Sequence, residues 1–392
     1  MKALNNNAHP LESLLQQHCP NGVEFKELGE LWEKAPKSKM GANQAKNLSK
    51  DNGNICFTSG ETHYFIDDYL VDGEFLFLND GGTADIKYNS GKAYYTDHIF
   101  AFTSQKICVK FLYYFLKDKQ EEINKTCFQG TGLKNLQKNK IEKFPIPLPP
   151  LEIQSKIVEI LDTFTELEAE LEAELEARLK QYHYYRNKLL SHDELENRTA
   201  KSRNDSDPAT LVPYVRLGEA CEILDNLRKP ITKSKRTQGI YPYYGANGIQ
   251  DYVNEYIFDG DFLLMGEDGS VINKDNSPVL NWVSGKFWVN NHAHILKEKS
   301  NTTNLRFVFF YLQTCDVSSI VRGVPPKINQ QNLKTIQIPL PPLAVQNEIV
   351  ELLDKFDTLT NDLTSGIPAE IQARKKQYEY YRERLLSFIA KD

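Results

Sequence analysis

Pro147-Leu148-Pro149-Pro150-Leu151 returns 192 residues later as Pro339-Leu340-Pro341-Pro342-Leu343. The echo runs on through Gln154/Gln346, Ile157/Ile349, Leu161/Leu353, Asp162/Asp354 and Phe164/Phe356. Next, Gln181-Tyr182-His183-Tyr184-Tyr185-Arg186 is answered by Gln377-Tyr378-Glu379-Tyr380-Tyr381-Arg382 at an offset of 196, each followed by Leu-Leu-Ser. Upstream, Leu28-Gly29-Glu30 matches Leu217-Gly218-Glu219, Asp72-Gly73-Glu74-Phe75-Leu76 matches Asp259-Gly260-Asp261-Phe262-Leu263, and Ser90-Gly91-Lys92 matches Ser284-Gly285-Lys286. The landmarks keep their order, so the chain is a tandem duplication of one unit.

Each unit has two parts. The first is rich in β-branched and aromatic runs broken by Gly, Asn and Asp, which predicts mixed strands and loops, with helices near Val109–Leu116 and Leu305–Leu312. The second is helical. Ile157, Leu161, Phe164, Leu171, Leu175, Tyr182, Tyr185 and Leu189 fall in a 4-3-4-3 series whose two gaps hold Glu168 and Arg178, the pattern of a coiled-coil seam. Forty helical residues span about 60 Å. The second copy offers Ile349, Leu353, Phe356, Leu363, Ile371, Tyr378, Tyr381 and Leu385, with a four-residue slip around Gly366-Ile367-Pro368 that predicts a stutter, break or kink. Seams apolar on one side predict that the two helices pack on each other, antiparallel. The fold expected is thus of the α/β (α+β) class, with two globular domains joined by two long antiparallel helices in a pseudo-twofold repeat. Its parts are an N-terminal segment (1–22), a first domain (23–147), a central helix (148–190), a polar linker (191–211), a second domain (212–339) and a C-terminal helix (340–389).

Composition narrows the functional class. With 392 residues, 40% hydrophobic and 26% charged, the chain is neither a disordered tail nor a small disulfide scaffold. MKALNNNAHP lacks the features of a signal peptide, and no segment approaches the roughly 20 apolar residues of a membrane span. The six scattered cysteines form no CxxC pair and read as reduced thiols of a cytoplasmic protein. The net charge of −6 equals the six glutamates between Glu166 and Glu176, leaving the remainder near balance. Lysines crowd Lys34–Lys50, and Arg228, Lys229, Lys233, Lys235 and Arg236 crowd the matching place in the second unit.

Catalytic motifs are missing: there is no GxxxxGK[ST] and no Asn-Pro-Pro-Tyr/Phe, and Glu24-Phe25-Lys26 has no upstream Pro-Asp to complete a nuclease site. His292-Ala293-His294 reads as core or surface in strand-like sequence, Glu267-Asp268 reads as a turn, and neither is expected to bind a metal. No cofactor is expected.

The paired Pro-Leu-Pro-Pro-Leu-x-x-Gln segments, the Gln-Tyr-x-Tyr-Tyr-Arg helix ends and Tyr241-Pro242-Tyr243-Tyr244-Gly245-Ala246-Asn247-Gly248 before Phe258-Asp259-Gly260 resemble the specificity subunit of type I restriction-modification systems. The first unit departs from it, with Ile55-Cys56-Phe57-Thr58-Ser59-Gly60 in place of the tyrosine-rich run. The resemblance implies two target-recognition domains, each reading half of a bipartite double-stranded DNA site, and helices that dock methylation subunits, two per chain, with restriction subunits as a further partner. It implies a recognition subunit without catalysis of its own; adenine methylation and ATP-dependent cleavage would belong to the partners.

Residue chemistry then selects DNA contacts, since Arg and Lys neutralise phosphate and Arg, Asn and Gln read base edges. In the second domain these are Arg228, Lys229, Lys233, Lys235, Arg236, Tyr243, Tyr244, Asn247, Arg322, Lys327, Asn329 and Gln330, with Tyr243 and Tyr244 reading equally as core aromatics. In the first they are Lys34, Lys37, Lys39, Asn43, Gln44, Lys46, Gln129, Lys134, Asn135 and Lys138. Glu-Leu-Glu-Ala repeats at 166–169, 170–173 and 174–177 read either as an exposed helix of good formers or as a length module, four residues adding about 6 Å. A coiled-coil scaffold without DNA, an exchangeable recognition cassette and a stand-alone DNA-modifying enzyme are the alternatives.

Overall fold

A computed structural model describes residues 17–132, 134–203, 212–299 and 301–390. The chain divides into two compact units, one formed by residues 1–172 with 371–392 and the other by 173–370. Most of the 191–211 linker either lies outside the described residues or forms the helix His192–Arg203, whose Leu195 is fully buried and whose Arg198 pairs with Glu348 at 2.5 Å.

In the second unit a six-stranded sheet runs in the order Cys221–Ile223, Ala293–Glu298, Phe258–Gly266, Leu280–Val289, Gln238–Gly245, Gly248–Val253. All neighbours are antiparallel except Gln238–Gly245 with Leu280–Val289. The first unit repeats this order but splits it into a four-stranded and a three-stranded sheet. The split falls at Gly91-Lys92, between Ile86–Ser90 and Ala93–Tyr95, where the second unit carries Gly285-Lys286 through an unbroken strand. The expected helices are present as Val109–Asp118 and Leu305–Leu312.

The proline motif is a strand followed by a helix. Pro145–Leu148 pairs with Glu24–Glu27, and Gln337–Pro339 pairs with Tyr214–Arg216. Proline suits such two-stranded edges because it has no N–H to give a further ladder. The motif glutamines are buried and do a joining job. Gln154 donates to Pro149 O at 2.8 Å and accepts from Cys108 N at 2.8 Å. Gln346 donates to Pro341 O at 2.7 Å and accepts from Asn304 N at 2.8 Å. Each thereby ties the start of a long helix to the start of the domain helix.

One helix runs unbroken over Leu151–Leu189, 39 residues. The second copy is two helices, Leu343–Asn361 and Ile367–Leu385, with residues 362–366 between them. The four extra residues therefore form a turn. Gly366 is required there, since a Cβ on it would lie 2.5 Å from Thr358 O. Leu363, expected in the seam, lies in this turn and is 72% exposed. Elsewhere the seam forms within each unit. In the first, Ile157 and Leu161 share a core with Leu385, and Phe164 stacks on Tyr381 with centroids 5.4 Å apart. In the second, Ile349 and Leu353 share a core with Tyr182 and Leu189, and Phe356 stacks on Tyr185 at 5.5 Å. Helix starts meet helix ends in both, so the packing is antiparallel. Leu171 and Leu175 are only half-buried, and Glu168 in the seam pairs with Lys375 at 3.1 Å. No helix among the described residues is long and apolar enough to cross a membrane.

Candidate nucleic-acid interface

In each unit the candidate loops gather at one end of the sheet. In the first, Asp97 N donates to Met40 O at 2.9 Å, Asp80 N to His98 O at 2.9 Å and Gly82 N to Lys134 O at 2.8 Å. These bonds bring the 34–46 stretch and the 129–138 stretch to the same edge. Asn43, Gln44 and Lys46 lie on the short helix Ala42–Asn47, and all three are exposed. Gln129 and Asn135 face each other across a two-residue ladder, with Lys134 exposed beside them. Lys37, Lys39, Lys46 and Lys134 form no ion pair among the described residues. Lys34 is held by Glu142 at 2.8 Å, and Lys138 lies 4.0 Å from Asp80.

In the second unit the basic loop divides by burial. Lys229, Lys233, Lys235 and Asn247 are exposed. Arg228, Arg236 and Tyr243 are not free to meet a ligand. Arg228 pairs with Glu267 and donates to Ala293 O at 2.9 Å. Arg236 pairs with Asp251 at 3.2 Å and lies over the Tyr243 ring at 4.1 Å. Tyr243 is 1% exposed, with its hydroxyl donating to Ile231 O at 3.3 Å. The polar groups of these three are engaged inside the fold, so Lys229, Lys233, Lys235 and Asn247 are the exposed members of this loop. Tyr244 is half-buried edge-on to Phe287.

The second loop is a hairpin in which Arg322 and Lys327 exchange backbone hydrogen bonds of 2.8 Å in both directions. Arg322 is exposed, and Val324 at the tip is 100% exposed. Lys327 reaches back to Glu267 at 3.1 Å, and Asn329 caps the helix Gln330–Thr335 by accepting from Asn332 N at 2.8 Å. Gln330 donates to Asp225 at 3.1 Å.

Sequence reasoning read Glu267-Asp268 as a turn and His294 as core or surface, and it missed Asp225 and the meeting of all three behind these loops. Asp225, Glu267 and His294 converge with donor atoms within 4.8 Å of one another. They stand 42 and 27 residues apart in the chain, so no local motif announces them. Burial pushes the Asp225 carboxyl up, but hydrogen bonding and charge from His294, with the charge of Arg228, hold it below the ordinary carboxylate range. Arg228 and Lys327 already occupy Glu267, so this is an ion-pair network whose donors are in use. The six cysteines form no disulfide, and burial pushes the thiol of Cys56 up to about 11 and that of Cys221 up to about 12.

The comparisons with known proteins agree with this layout. The model of the type I restriction modification DNA specificity domain matches twice, over residues 20–181 and 212–373. A putative type I restriction enzyme specificity subunit of Haemophilus influenzae is 44% identical over 181 residues, 45% of this chain and 46% of that protein, so the match spans about half of that relative. A type I restriction enzyme specificity subunit of Escherichia coli is 32% identical over 311 residues, 72% of each chain. Among solved structures, a type I restriction-modification S subunit from M. genitalium shares the fold, with a TM-score of 0.67 at 18% identity over 99% of both chains. With its domain present in two copies over most of the sequence, this chain belongs to the type I restriction-modification DNA specificity family.

Proposed function

We propose that the chain is the DNA-recognition subunit of a type I restriction-modification complex. Each unit reads one half of an asymmetric, bipartite double-stranded site. The helices set the spacer and dock two methylation subunits, with restriction subunits joining the assembly in the cytoplasm. Chemistry resides in those partners, as adenine methylation and ATP-driven cleavage. One observation carries the reading: a single chain holds the specificity domain twice, on one scaffold, with different side chains at the loop end of each sheet. Identical readers would select a palindrome; diverged readers select two unlike halves. Exposed Lys37, Lys39, Lys46, Lys134, Lys229, Lys233, Lys235 and Arg322 supply phosphate contacts, and Asn43, Gln44, Gln129, Asn135 and Asn247 supply base-edge donors and acceptors.

Mapping N6-methyladenine across the genome of cells with and without the gene tests it. One gapped, asymmetric motif should lose methylation when the gene is removed. An unchanged methylation map in cells that make the methylation subunit refutes the proposal.

A further inference from the structure

Within the second unit, His294 is fully buried and both its ring nitrogens meet oxygens, Nδ1 with Asp225 at 2.6 Å and Nε2 with Ile328 O at 2.8 Å. Both ring nitrogens are therefore engaged inside the fold. Asp225 also accepts from Ile295 N at 3.1 Å and from Gln330 at 3.1 Å. Glu267 holds Arg228 on one oxygen and Lys327, at 3.1 Å, on the other. The network therefore fastens three segments: the root of the basic loop at Arg228, the foot of the 322–327 hairpin at Lys327, and the helix beginning at Gln330.

The first unit shows that the scaffold itself does not need the full network, since among the described residues only Lys138, 4.0 Å from Asp80, forms an ion pair at the matching place. Asp80 takes the place of Glu267, with Asp80 N on His98 O and Leu136 N on Asp80 O, as Glu267 N is on His292 O and Ile328 N on Glu267 O. Phe100 takes the place of His294: it pairs with Leu78 next to Asn79↔Ile99, as His294 pairs with Met265 next to Gly266↔Ala293. Phe100 packs on Trp32 at 4.9 Å, and Lys138 lies over its ring at 5.7 Å. The same site is closed mainly by rings in one unit, beside the Lys138–Asp80 pair, and by a network of ion pairs in the other. Removing one partner from such a buried set strands the rest, so the network holds its loops in one arrangement.

We propose that Glu267 and Asp225 are positioning residues for DNA recognition by the second unit. They touch no DNA themselves; they fix the loop that bears Lys229, Lys233 and Lys235 and the hairpin that bears Arg322 in the arrangement that meets the second half-site. This rests on the reading of the chain as a DNA specificity subunit.

The test uses the full chain assembled with its methylation subunit and reads adenine methylation across a library randomised in both half-sites. Glu267→Gln is expected to lose about tenfold in discrimination at the second half-site, the size of one base-pair preference. The first half-site should stay as in the wild type, while the slope of log affinity against log salt should fall, because Lys229, Lys233, Lys235 and Arg322 lose their fixed positions at phosphate. Glu267→Asp should recover part of the discrimination. If both half-sites lose selectivity together, or neither does, the assignment is overturned. Should Glu267→Gln not assemble, the isosteric Asp225→Asn carries the same two outcomes. A wild-type complex that selects no bipartite site overturns the functional reading itself, and this inference with it.

Discussion

Gln346 shows what a single buried side chain holds in this protein. Its carboxamide accepts from Asn304 N and donates to Pro341 O and Thr302 O, so it ties the 302–304 loop to the start of the helix that bears it. Gln346→Ala should destabilise the second unit by about 1–3 kcal/mol, the cost of leaving buried groups unpaired, as read by denaturant unfolding. The exposed lysines should behave differently. Lys233→Ala and Lys235→Ala should each weaken binding to every DNA sequence and reduce the slope of log affinity against log salt by about one, with no loss of stability. Arg236→Ala should instead lower stability, since that guanidinium is bound to Asp251 and stacked on Tyr243. Asp225 gives a pH signature. Its folded pKa lies below the unfolded value of about 3.9, so its contribution is complete above that pH and is lost as pH falls through the folded pKa. Acid unfolding of Asp225→Asn should accordingly show a shallower loss of stability below about pH 4 than the wild type.

At the scale of elements, the helix Leu151–Leu189 combines two kinds of seam. Its ends are buried aromatic and aliphatic contacts, whereas its Glu-Leu-Glu-Ala centre is half-exposed, with Glu168 and Glu172 both reaching Lys375 at 3.1 and 3.0 Å. A centre that holds few apolar contacts can change length at small cost. Deleting Glu170–Ala173 should therefore shorten the spacer between half-sites by the equivalent of about 6 Å of helix while both half-site sequences stay the same. Methylation mapping reads this directly, and an unchanged spacer would sink the length-module reading. The break at 362–366 is less tolerant. Gly366→Ala should destabilise the chain, because a methyl there meets the carbonyls of Thr358, Asp362 and Leu359 within 2.8 Å.

Across the whole molecule, the repeat was legible because duplication leaves marks that need no structure: the Pro-Leu-Pro-Pro-Leu runs, the Gln-Tyr-x-Tyr-Tyr-Arg ends and the four-residue slip. The seam was legible through its period, except at Leu363, where a turn removed the residue from the helix that the period assumes. The site was only partly legible. Sequence places Arg228 and Lys229 side by side in one basic loop, yet one is locked to Glu267 and the other is exposed, and only tertiary contacts separate them. The meeting of Asp225, Glu267 and His294 was illegible for a related reason: segments distant in the chain bring them together.

The first unit is assembled from both ends of the chain. Leu385 and Leu386 belong to the same core as Leu28 and Phe111, Arg382 pairs with Asp118 at 3.1 Å, and Val23 bridges to Ala390. On the ribosome, the first unit must therefore wait for residues 378–390 before its core can close, whereas residues 173–370 already hold their own. Nascent chains of this protein should expose the apolar face of Ile157 and Leu161 until Leu385 and Leu386 have left the ribosome, making that stretch the point where chaperones or proteases intervene.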